Sequence, residues 1–253
     1  YPYDNEYSSI YGKIILFIDK CFRKTLAKSL YRIITFSDYK SIFGTPTIQI
    51  SNGIDFDKIK LKQNINDTFH ELHLIGVAEI HYWHGFDRLV QGLVNYYKGN
   101  PDYKVFFHIV GDFFGERERN DILPLISTHH LESYIILHGA KHGEELDLLF
   151  EQSDMAIGSL ARHRSGITNI KTLKNREYAA RGLSFIYSEQ DSDFENKPYI
   201  LKVPADESPI DINLIIDFHR KLNISPIDIR NSIQSLSWEE QMKKVITTVQ
   251  TTR

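Results

Sequence analysis

The sequence has 253 residues, of which 42% are hydrophobic and 25% are charged, and its formal net charge is -3. This composition is ordinary for a globular protein with a sizeable core, and it fits one large domain or two small ones. The small negative charge gives no basic field for nonspecific binding of nucleic acid. We therefore expect no nucleic-acid partner.

Cys21 is the only cysteine, which excludes an intramolecular disulfide and a zinc site built from cysteines. A reducing, cytoplasmic setting is expected. The apolar runs are far shorter than the roughly 20 residues that cross a bilayer, so any membrane contact should be peripheral. The chain opens with Tyr-Pro-Tyr-Asp and has no initiator methionine. We expect that an N-terminal portion of the protein precedes this sequence.

The first 50 residues predict one amphipathic helix and two short strands. Apolar and basic positions alternate at helical spacing from about residue 12, and we expect this helix to be broken or bent near its middle. The apolar segments 32–37 and 47–50 are predicted strands, and the second is closed by a turn at Ser-Asn-Gly.

From residue 72 onward, strands and helices alternate regularly. The predicted strands are 72–77, 104–110, 134–138, 155–157, 184–187 and 199–203, and the predicted helices are 85–97, 117–129, 144–152, 173–181, 212–222, 227–233 and one that begins at Trp238. Such alternation implies right-handed crossovers and a parallel sheet covered on both faces. The sequence therefore predicts an α/β fold with a doubly wound, Rossmann-like parallel sheet.

Doubly wound sheets bind ligands beyond the carboxyl ends of their strands, near the point where the strand order reverses. The segments to consider are therefore 78–85, 111–115, 139–143 and 158–174. Three of the four begin with a glycine or soon reach one, which would let the backbone approach a phosphate or a sugar. A glycine that simply ends a strand is an equal alternative for any single segment.

Several motifs follow one another in a characteristic order. They are Ser-Asn-Gly-Ile-Asp at 51–55, Gly-Val-Ala at 76–78, Trp-His-Gly-Phe-Asp at 83–87, Lys-Asn-Arg-Glu-Tyr-Ala-Ala-Arg-Gly at 174–182, and Ser-Trp at 237–238. In order and spacing this succession resembles the C-terminal, nucleotide-sugar-binding half of a GT-B glycosyltransferase of group 1, family 4. The resemblance covers roughly residue 33 to the end. It implies that residues 1–36 are a remnant of the N-terminal, acceptor-side domain. Residues 37–253 would form the nucleotide-sugar-binding domain, with the last helix packing back towards the N-terminal part.

The resemblance implies catalytic roles for three residues. Glu177 would accept hydrogen bonds from the ribose hydroxyls of the donor, although a glutamate near a helix start is also favoured by the helix dipole alone. Lys174 would contact the donor's pyrophosphate. Asn169 occupies the position of the family's first glutamate; it can still bond a sugar hydroxyl but carries no charge.

The resemblance also implies a set of donor-binding residues. Lys171, Thr172 and Leu173 would join Lys174 at a helix N-terminus that binds the pyrophosphate. The remaining members are Gly76, Ala78, His84 and Gly85 after the first strand, His138 and Gly139 beside the nucleobase, and Arg164 in the basic loop at 162–164.

Two positions depart from the family's pattern. Glu79 stands in place of the usual arginine and His84 in place of the usual lysine. Stabilisation of the leaving group would rest partly on His84, which would act best when protonated. Arg162, His163 or Arg164 could supply the charge instead, with a solvated surface as the alternative for that loop. The histidines lack the close pairing of a zinc site, so neither a metal nor another cofactor is expected.

The implied function is a retaining, hexosyl-type glycosyltransferase that uses a nucleotide-diphosphate sugar. The acceptor would be a saccharide or a lipid-linked saccharide, in bacterial capsular or other surface polysaccharide synthesis. The setting would be the cytoplasm, at the inner face of the membrane through the missing N-terminal domain. The alternatives are a non-catalytic nucleotide- or sugar-binding module and, among enzymes, an epimerase or a phosphorylase of the same architecture. The sequence leaves the nucleobase, the sugar, the acceptor and the oligomeric state open.

Overall fold

The computed structural model describes residues 9–63 and 70–251, and it divides the chain into two compact units. The first unit comprises Tyr1–Ser51 together with Glu239–Arg253, and the second comprises Asn52–Trp238. The domain boundary predicted after residue 36 falls inside the first unit. The opening residues Tyr-Pro-Tyr-Asp lie outside the described residues.

The first unit contains one long helix, three short strands and most of the last helix. Its elements are α1 (Ile10–Lys28), β1 (Ile33–Thr35), β2 (Ser41–Ile42), β3 (Thr45–Gln49) and α8 (Trp238–Thr251), whose first residue belongs to the second unit. The strand β1 lies parallel to β3, and β2 lies antiparallel to it. The helix α1 runs without the predicted break. The two-residue strand β2 was not predicted.

The second unit is built on a six-stranded sheet in which all strands are parallel. Its strands are β4 (Glu71–Val77), β5 (Lys104–Val110), β6 (Ile135–Gly139), β7 (Met155–Ile157), β8 (Ser184–Tyr187) and β9 (Ile200–Lys202). Its helices are α2 (Phe86–Tyr97), α3 (Glu116–Thr128), α4 (Gly143–Gln152), α5 (Leu173–Ala180), α6 (Ile212–Lys221) and α7 (Pro226–Asn231). Each predicted helix and strand of this unit is present, and the doubly wound α/β fold is confirmed.

Apolar side chains cover both faces of this sheet because successive residues of a strand point to opposite sides. In β4, Leu74 packs in a core that includes Leu89 of α2 and Ile215 of α6. The next residue, Ile75, packs in a second core with Phe150 of α4 and Tyr178 of α5. Two separate cores on one parallel sheet are the packing expected of a doubly wound domain.

Polar caps explain why several helix starts could be predicted from the sequence. The Thr172 hydroxyl accepts the backbone N–H of Asn175 at the start of α5, the Asp211 carboxylate caps α6, and the Ser225 hydroxyl caps α7. These side chains satisfy amide groups that have no partner within the helix. Within the described residues, no helix is both long and apolar enough to span a bilayer.

The strand order fixes where a ligand would bind. The sheet runs β6-β5-β4-β7-β8-β9, which is the order 3-2-1-4-5-6 when β4 is counted first. The chain proceeds from β4 towards one edge and returns through β7 towards the other. The carboxyl ends of β4 and β7 therefore meet at a topological switch point.

Candidate functional site

Two loops meet at the switch point, one after β4 and one after β7. The backbone N–H of Leu160 donates to the carbonyl of His84 at 2.9 Å, and the N–H of Ala161 donates to the carbonyl of Trp83 at 3.3 Å. Gly85 has a φ of +66°, and a Cβ at this position would lie 2.8 Å from the Cβ of Ala161. The predicted glycine is thus needed for the close approach of the two loops.

His84 is buried between these loops and does not carry the charge expected of it. Its Nδ1 accepts the backbone N–H of His81 at 2.9 Å, so the ring proton lies on Nε2. Burial, together with the positive charges of Lys174 and Arg162, holds the pKa of His84 far below its usual range. The ring is therefore a neutral donor through Nε2, and the role of His84 in stabilising the leaving group remains a prediction.

The Lys174 side chain enters the site from the first turn of α5. Its Nζ is buried and has no hydrogen-bond partner among the described residues. Burial lowers the pKa of Lys174 to about 8, while the nearby Glu189 carboxylate opposes this shift and Arg162 adds to it. At neutral pH the group is therefore largely an ammonium ion without a hydrogen-bond acceptor.

Glu189 lies next to Lys174, directly after β8, and was not predicted from the sequence as a site residue. The residue is 2% exposed. Its Oε1 accepts from Nδ2 of Asn175 at 3.3 Å, while its Oε2 is buried without a hydrogen-bond partner. Burial raises the pKa of Glu189, and the charge of Lys174 opposes that change. The two groups do not hydrogen-bond to each other.

Arg162 is the member of the basic loop that approaches this pair. Its guanidinium lies over the ring of Trp83, 5.3 Å from the centroid, and it interacts electrostatically with Glu189. Arg162 was one of three alternatives that the sequence left open for a stabilising charge. It is the one whose charge acts on both His84 and Lys174.

Arg164 is instead engaged by two carboxylates. Its Nη1 and Nη2 donate to the Asp87 carboxylate at 2.9 and 2.8 Å, and its Nε donates to Glu207 at 3.0 Å. His163 lies 2.7 Å from the same Glu207 oxygen. The prediction that Arg164 binds the donor is not supported, because its positive charge is already neutralised. The loop is not a uniformly solvated surface either.

Glu177 forms an ion pair within its own helix. Nε of Arg181 donates to its Oε1 at 3.0 Å, and Nη1 of Arg181 donates to Asp147 at 2.6 Å. The Glu177 side chain is 33% exposed and its second carboxylate oxygen appears in no hydrogen bond among those of the described residues. Its role as a ribose contact remains a prediction.

Arg176 lies between Lys174 and Glu177 and is fully buried. Its guanidinium donates to Asp191 at 2.9 Å, to Asp193, and to the carbonyl oxygens of Thr172 and Asn52 at 2.8 and 3.0 Å. No local pattern in the sequence distinguishes Arg176 from the other charges of the helix. Its acidic partners occur together in the sequence at 189–195, which was the available signal.

The other predicted donor contacts lie around the same edge of the sheet. Ala78 donates its N–H to the Val110 carbonyl at 2.9 Å, and Gly139, with a φ of +66°, accepts from the Gly111 N–H at 2.8 Å. Gly76 is explained by packing, because a Cβ there would lie 2.7 Å from Cζ of Phe86. Their contacts with a donor remain predictions.

Four further predicted residues are placed as follows. His138 Nε2 lies 2.9 Å from Nδ1 of His108. Asn169 forms an isolated parallel bridge with Gln190, Lys171 lies 3.8 Å from Asp193, and Leu173 is 57% exposed at the start of α5. The structure therefore brings Lys174 and His84 together, whereas His138 pairs with another strand. In the part of the chain that is described, no group of three or more His, Cys, Asp or Glu side chains could hold a metal ion.

No protein-family model and no curated protein matches the chain, but solved structures of glycosyltransferases do. Sucrose-phosphate synthase from Thermosynechococcus elongatus is similar over 99% of this chain and 66% of its own, with a TM-score of 0.65 and 15% identity. HepE from Anabaena, in complex with UDP-glucose, is similar over 91% of this chain and 69% of its own, with a TM-score of 0.63 and 16% identity. The pneumococcal O-GlcNAc transferase GtfA, in complex with UDP and GlcNAc, is similar over 90% of this chain and 46% of its own, with a TM-score of 0.56 and 16% identity.

The chain thus spans from 46% to 69% of the length of these three proteins. At such low identity the likeness concerns the fold. The chain has the fold of the GT-B glycosyltransferases.

Proposed function

We propose that the chain binds a nucleotide-diphosphate sugar at the switch point and forms the donor side of a glycosyltransferase. In this proposal the enzyme belongs to group 1, family 4, and the chain corresponds to its C-terminal domain. It transfers a hexosyl group with retention of configuration to a saccharide or lipid-linked acceptor. The proposed setting is bacterial surface polysaccharide synthesis at the cytoplasmic face of the membrane.

The observation that carries the proposal is the buried, unpartnered ammonium of Lys174. Burial of a charged group without a hydrogen-bond partner is unfavourable, and an anionic ligand would remove this penalty. The same place receives the N-terminal end of α5, where backbone N–H groups and the helix dipole favour negative charge. The neutral His84 adds a donor through Nε2, and Arg162 adds positive charge.

These groups suit a diphosphate leaving group. In the proposed reaction, the bond between the anomeric carbon and the diphosphate oxygen breaks, and the nucleoside diphosphate leaves with the electron pair. The acceptor hydroxyl forms the new bond to carbon and gives up its proton to the departing diphosphate oxygen. Lys174, His84 and the α5 amides would stabilise the charge that develops on the leaving oxygen, which is where fixed donors contribute most to the rate.

The similar structures support this choice of ligand. The HepE structure holds UDP-glucose, and the GtfA structure holds UDP with GlcNAc. The acceptor, the retention of configuration and the membrane setting rest on the resemblance in sequence motifs. Because the chain spans only part of these proteins, we expect it to bind donor and transfer little sugar by itself.

A non-catalytic nucleotide- or sugar-binding module is the second candidate. Two observations favour it: Asn169 provides no carboxylate where the family has its first glutamate, and Arg164 is engaged by Asp87 and Glu207. The two candidates differ in turnover. Once an acceptor-side domain is present, an enzyme would slowly hydrolyse the donor or transfer its sugar. A module would bind the donor without converting it.

Calorimetric titration with UDP, GDP and ADP tests the proposal. One nucleotide should bind in the micromolar range, and Lys174→Met should weaken it by about tenfold to a hundredfold, since a hydrogen bond to a charged group is lost. Lys58→Met is the matched control, because that lysine is 81% exposed. Failure of all three nucleotides to bind, or equal affinity in the Lys174→Met protein, would contradict the proposal.

A further inference from the structure

Resting on the proposed function, we propose that the Glu189 carboxylate binds a hydroxyl group of the donor sugar, held between its Oε2 and the ammonium of Lys174. Neither family resemblance nor the similar structures point to this residue. The inference names a sugar-recognition residue for the site, in addition to the groups that bind the diphosphate.

The backbone holds Glu189 in place from both sides. Ser188, before it, donates its N–H to the Ser159 carbonyl at 2.9 Å. Gln190, after it, donates to the Thr168 carbonyl at 2.7 Å and accepts from the Ile170 N–H at 2.9 Å. Glu189 is therefore fixed against the loop that follows β7, and this loop includes the Asn169 position.

The side chain is also held, but only by one of its two oxygens. Oε1 accepts from Asn175, which is fully buried in the first turn of α5. Oε2 has no hydrogen-bond partner, although less than a tenth of the residue is exposed. A buried carboxylate normally has its oxygens satisfied, so an unsatisfied one indicates a missing partner.

The unsatisfied atom of Lys174 is a hydrogen-bond donor, whereas the unsatisfied oxygen of Glu189 is an acceptor. The Lys174 ammonium can only donate, and the ionised Glu189 carboxylate can only accept. The two lie close enough to shift each other's pKa, yet no hydrogen bond joins them. A group placed between them must accept from one and donate to the other. A phosphate oxygen cannot do both, whereas a hydroxyl can.

A sugar attached to a diphosphate presents such hydroxyls beside the phosphate that Lys174 would bind. An ammonium has three N–H donors, so Lys174 can serve a phosphate oxygen and a hydroxyl at once. The position of Glu189 is also relevant to residue 169, where this chain has asparagine in place of the family's first glutamate. Glu189 supplies, from the neighbouring strand end, the carboxylate that Asn169 lacks.

The test compares nucleotide sugars with the corresponding nucleoside diphosphates in wild type and Glu189→Gln. The probes are UDP-glucose and UDP, GDP-mannose and GDP, and ADP-glucose and ADP, of which the pair that binds wild type is used. Gln retains an acceptor for Asn175 but places a neutral amide at the hydroxyl site. We expect the nucleotide sugar to bind about tenfold to a hundredfold more weakly, with the diphosphate unchanged or slightly tighter.

Glu195→Gln is the matched control, because that carboxylate belongs to the same loop but is 47% exposed. Neither ligand should change affinity in this variant. Glu189→Asp keeps the negative charge, but its side chain is shorter, so the carboxylate lies farther from the hydroxyl. This variant should again weaken the binding of the sugar conjugate only. This second variant keeps the test open if Glu189→Gln does not fold.

The outcomes separate the two proposals. Binding of neither ligand to wild type would contradict the proposed function and this inference with it. Binding of both, with equal effects of Glu189→Gln on the sugar conjugate and the diphosphate, would overturn only the role of Glu189. In that case, the group between the two charges would be a buried water molecule and not a sugar hydroxyl. A donor analogue that lacks the bound hydroxyl should bind wild type weakly and show no further loss in Glu189→Gln.

Discussion

Two buried cations stand two residues apart in α5 and differ in their surroundings. Arg176 is surrounded by acceptors: the carboxylates of Asp191 and Asp193 and two backbone carbonyl oxygens. Lys174, one half-turn earlier, has no hydrogen-bond partner at its ammonium. Both belong to the same charged helix start, Leu-Lys-Asn-Arg-Glu.

These surroundings distinguish a charge that stabilises the fold from one that is available to a ligand. A buried guanidinium whose donors all have acceptors ties α5 to the segment after β8, and it has little left to offer a ligand. A buried ammonium without an acceptor is unfavourable for the fold alone. We interpret the Arg176 cluster as structural and the Lys174–Glu189 pair as the binding site.

The largest expected effect comes from removing the structural cation. Arg176→Met should lower the free energy of unfolding by about 3–5 kcal/mol, because it leaves the buried Asp191 carboxylate without its counter-charge. Urea unfolding at neutral pH measures this change. The loss should become smaller at acid pH, where Asp191 can take up a proton.

Lys174→Met is the comparison variant for that experiment. We expect its free energy of unfolding to equal or exceed that of wild type, because an unsatisfied buried charge is replaced by an apolar side chain of similar length. A loss as large as that of Arg176→Met would show that Lys174 stabilises the fold as Arg176 does. The two cations would then not differ in role.

The pH dependence of donor binding is the next largest effect. Protonated Lys174 binds phosphate more strongly than the neutral amine because it carries a positive charge, and its pKa is about 8 in the unliganded protein. The affinity for a nucleotide sugar should therefore fall by up to about tenfold per pH unit above pH 8. Lys174→Arg, which stays charged, should bind with little pH dependence in this range.

The stability of the unliganded protein should move in the opposite direction. The pKa of Lys174 is lower in the folded chain, at about 8, than its ordinary value of 10.5 in an unfolded one. Between these values the unfolded chain binds more protons, so this group makes the free energy of unfolding rise with pH. Comparison with Lys174→Met isolates the contribution, and a fall relative to that variant would contradict the assignment.

Glu177→Ala should weaken nucleotide binding and also lower the free energy of unfolding, both by smaller amounts than the largest effects above. Loss of the proposed ribose contact should weaken nucleotide binding by roughly tenfold. The free energy of unfolding should fall by only about 0.5 kcal/mol, because the pair with Arg181 is partly exposed and Asp147 still pairs with that arginine. Glu145→Ala, which breaks an exposed pair of the same spacing with Lys141, is the control. Unchanged nucleotide affinity would show that Glu177 only forms an ion pair with Arg181 and does not contact the ribose.

Arg164→Met should have the smallest effect on binding. Its guanidinium is held by Asp87 and Glu207, so nucleotide affinity should change by no more than about twofold. The Arg164 charge also lowers the pKa of Glu207 to about 2, and this pKa should return towards its usual value in the variant. NMR titration of Glu207 checks the second point. A tenfold loss of affinity would restore Arg164 as a donor-binding residue.

The sequence predicts the fold well because apolar periodicity and helix caps are local signals. The run Ser-Phe-Ile-Tyr of β8 and the Thr172 cap of α5 could each be recognised from neighbouring residues. The two-residue strand β2 could not, since it depends on pairing with β3. The predicted break in α1 is absent, since the helix is continuous from Ile10 to Lys28.

The site was predicted less completely because burial and charge pairing depend on contacts between distant segments. Lys174 was identified, but nothing local shows that its ammonium is buried while that of a neighbour is paired. Glu189 lies in an acidic stretch whose members resemble one another in sequence. Only the fold separates Glu189, beside Lys174, from Asp191, which pairs with Arg176.

A crystal structure of this chain with the nucleotide sugar that calorimetry identifies would show whether the unpaired charges of Lys174 and Glu189 form the donor site. If they do, a phosphate oxygen of the donor should lie within hydrogen-bonding distance of Lys174 Nζ, and a sugar hydroxyl should lie at Glu189 Oε2. A donor bound elsewhere on the sheet edge, with Lys174 and Glu189 joined directly to each other, would contradict the proposed site.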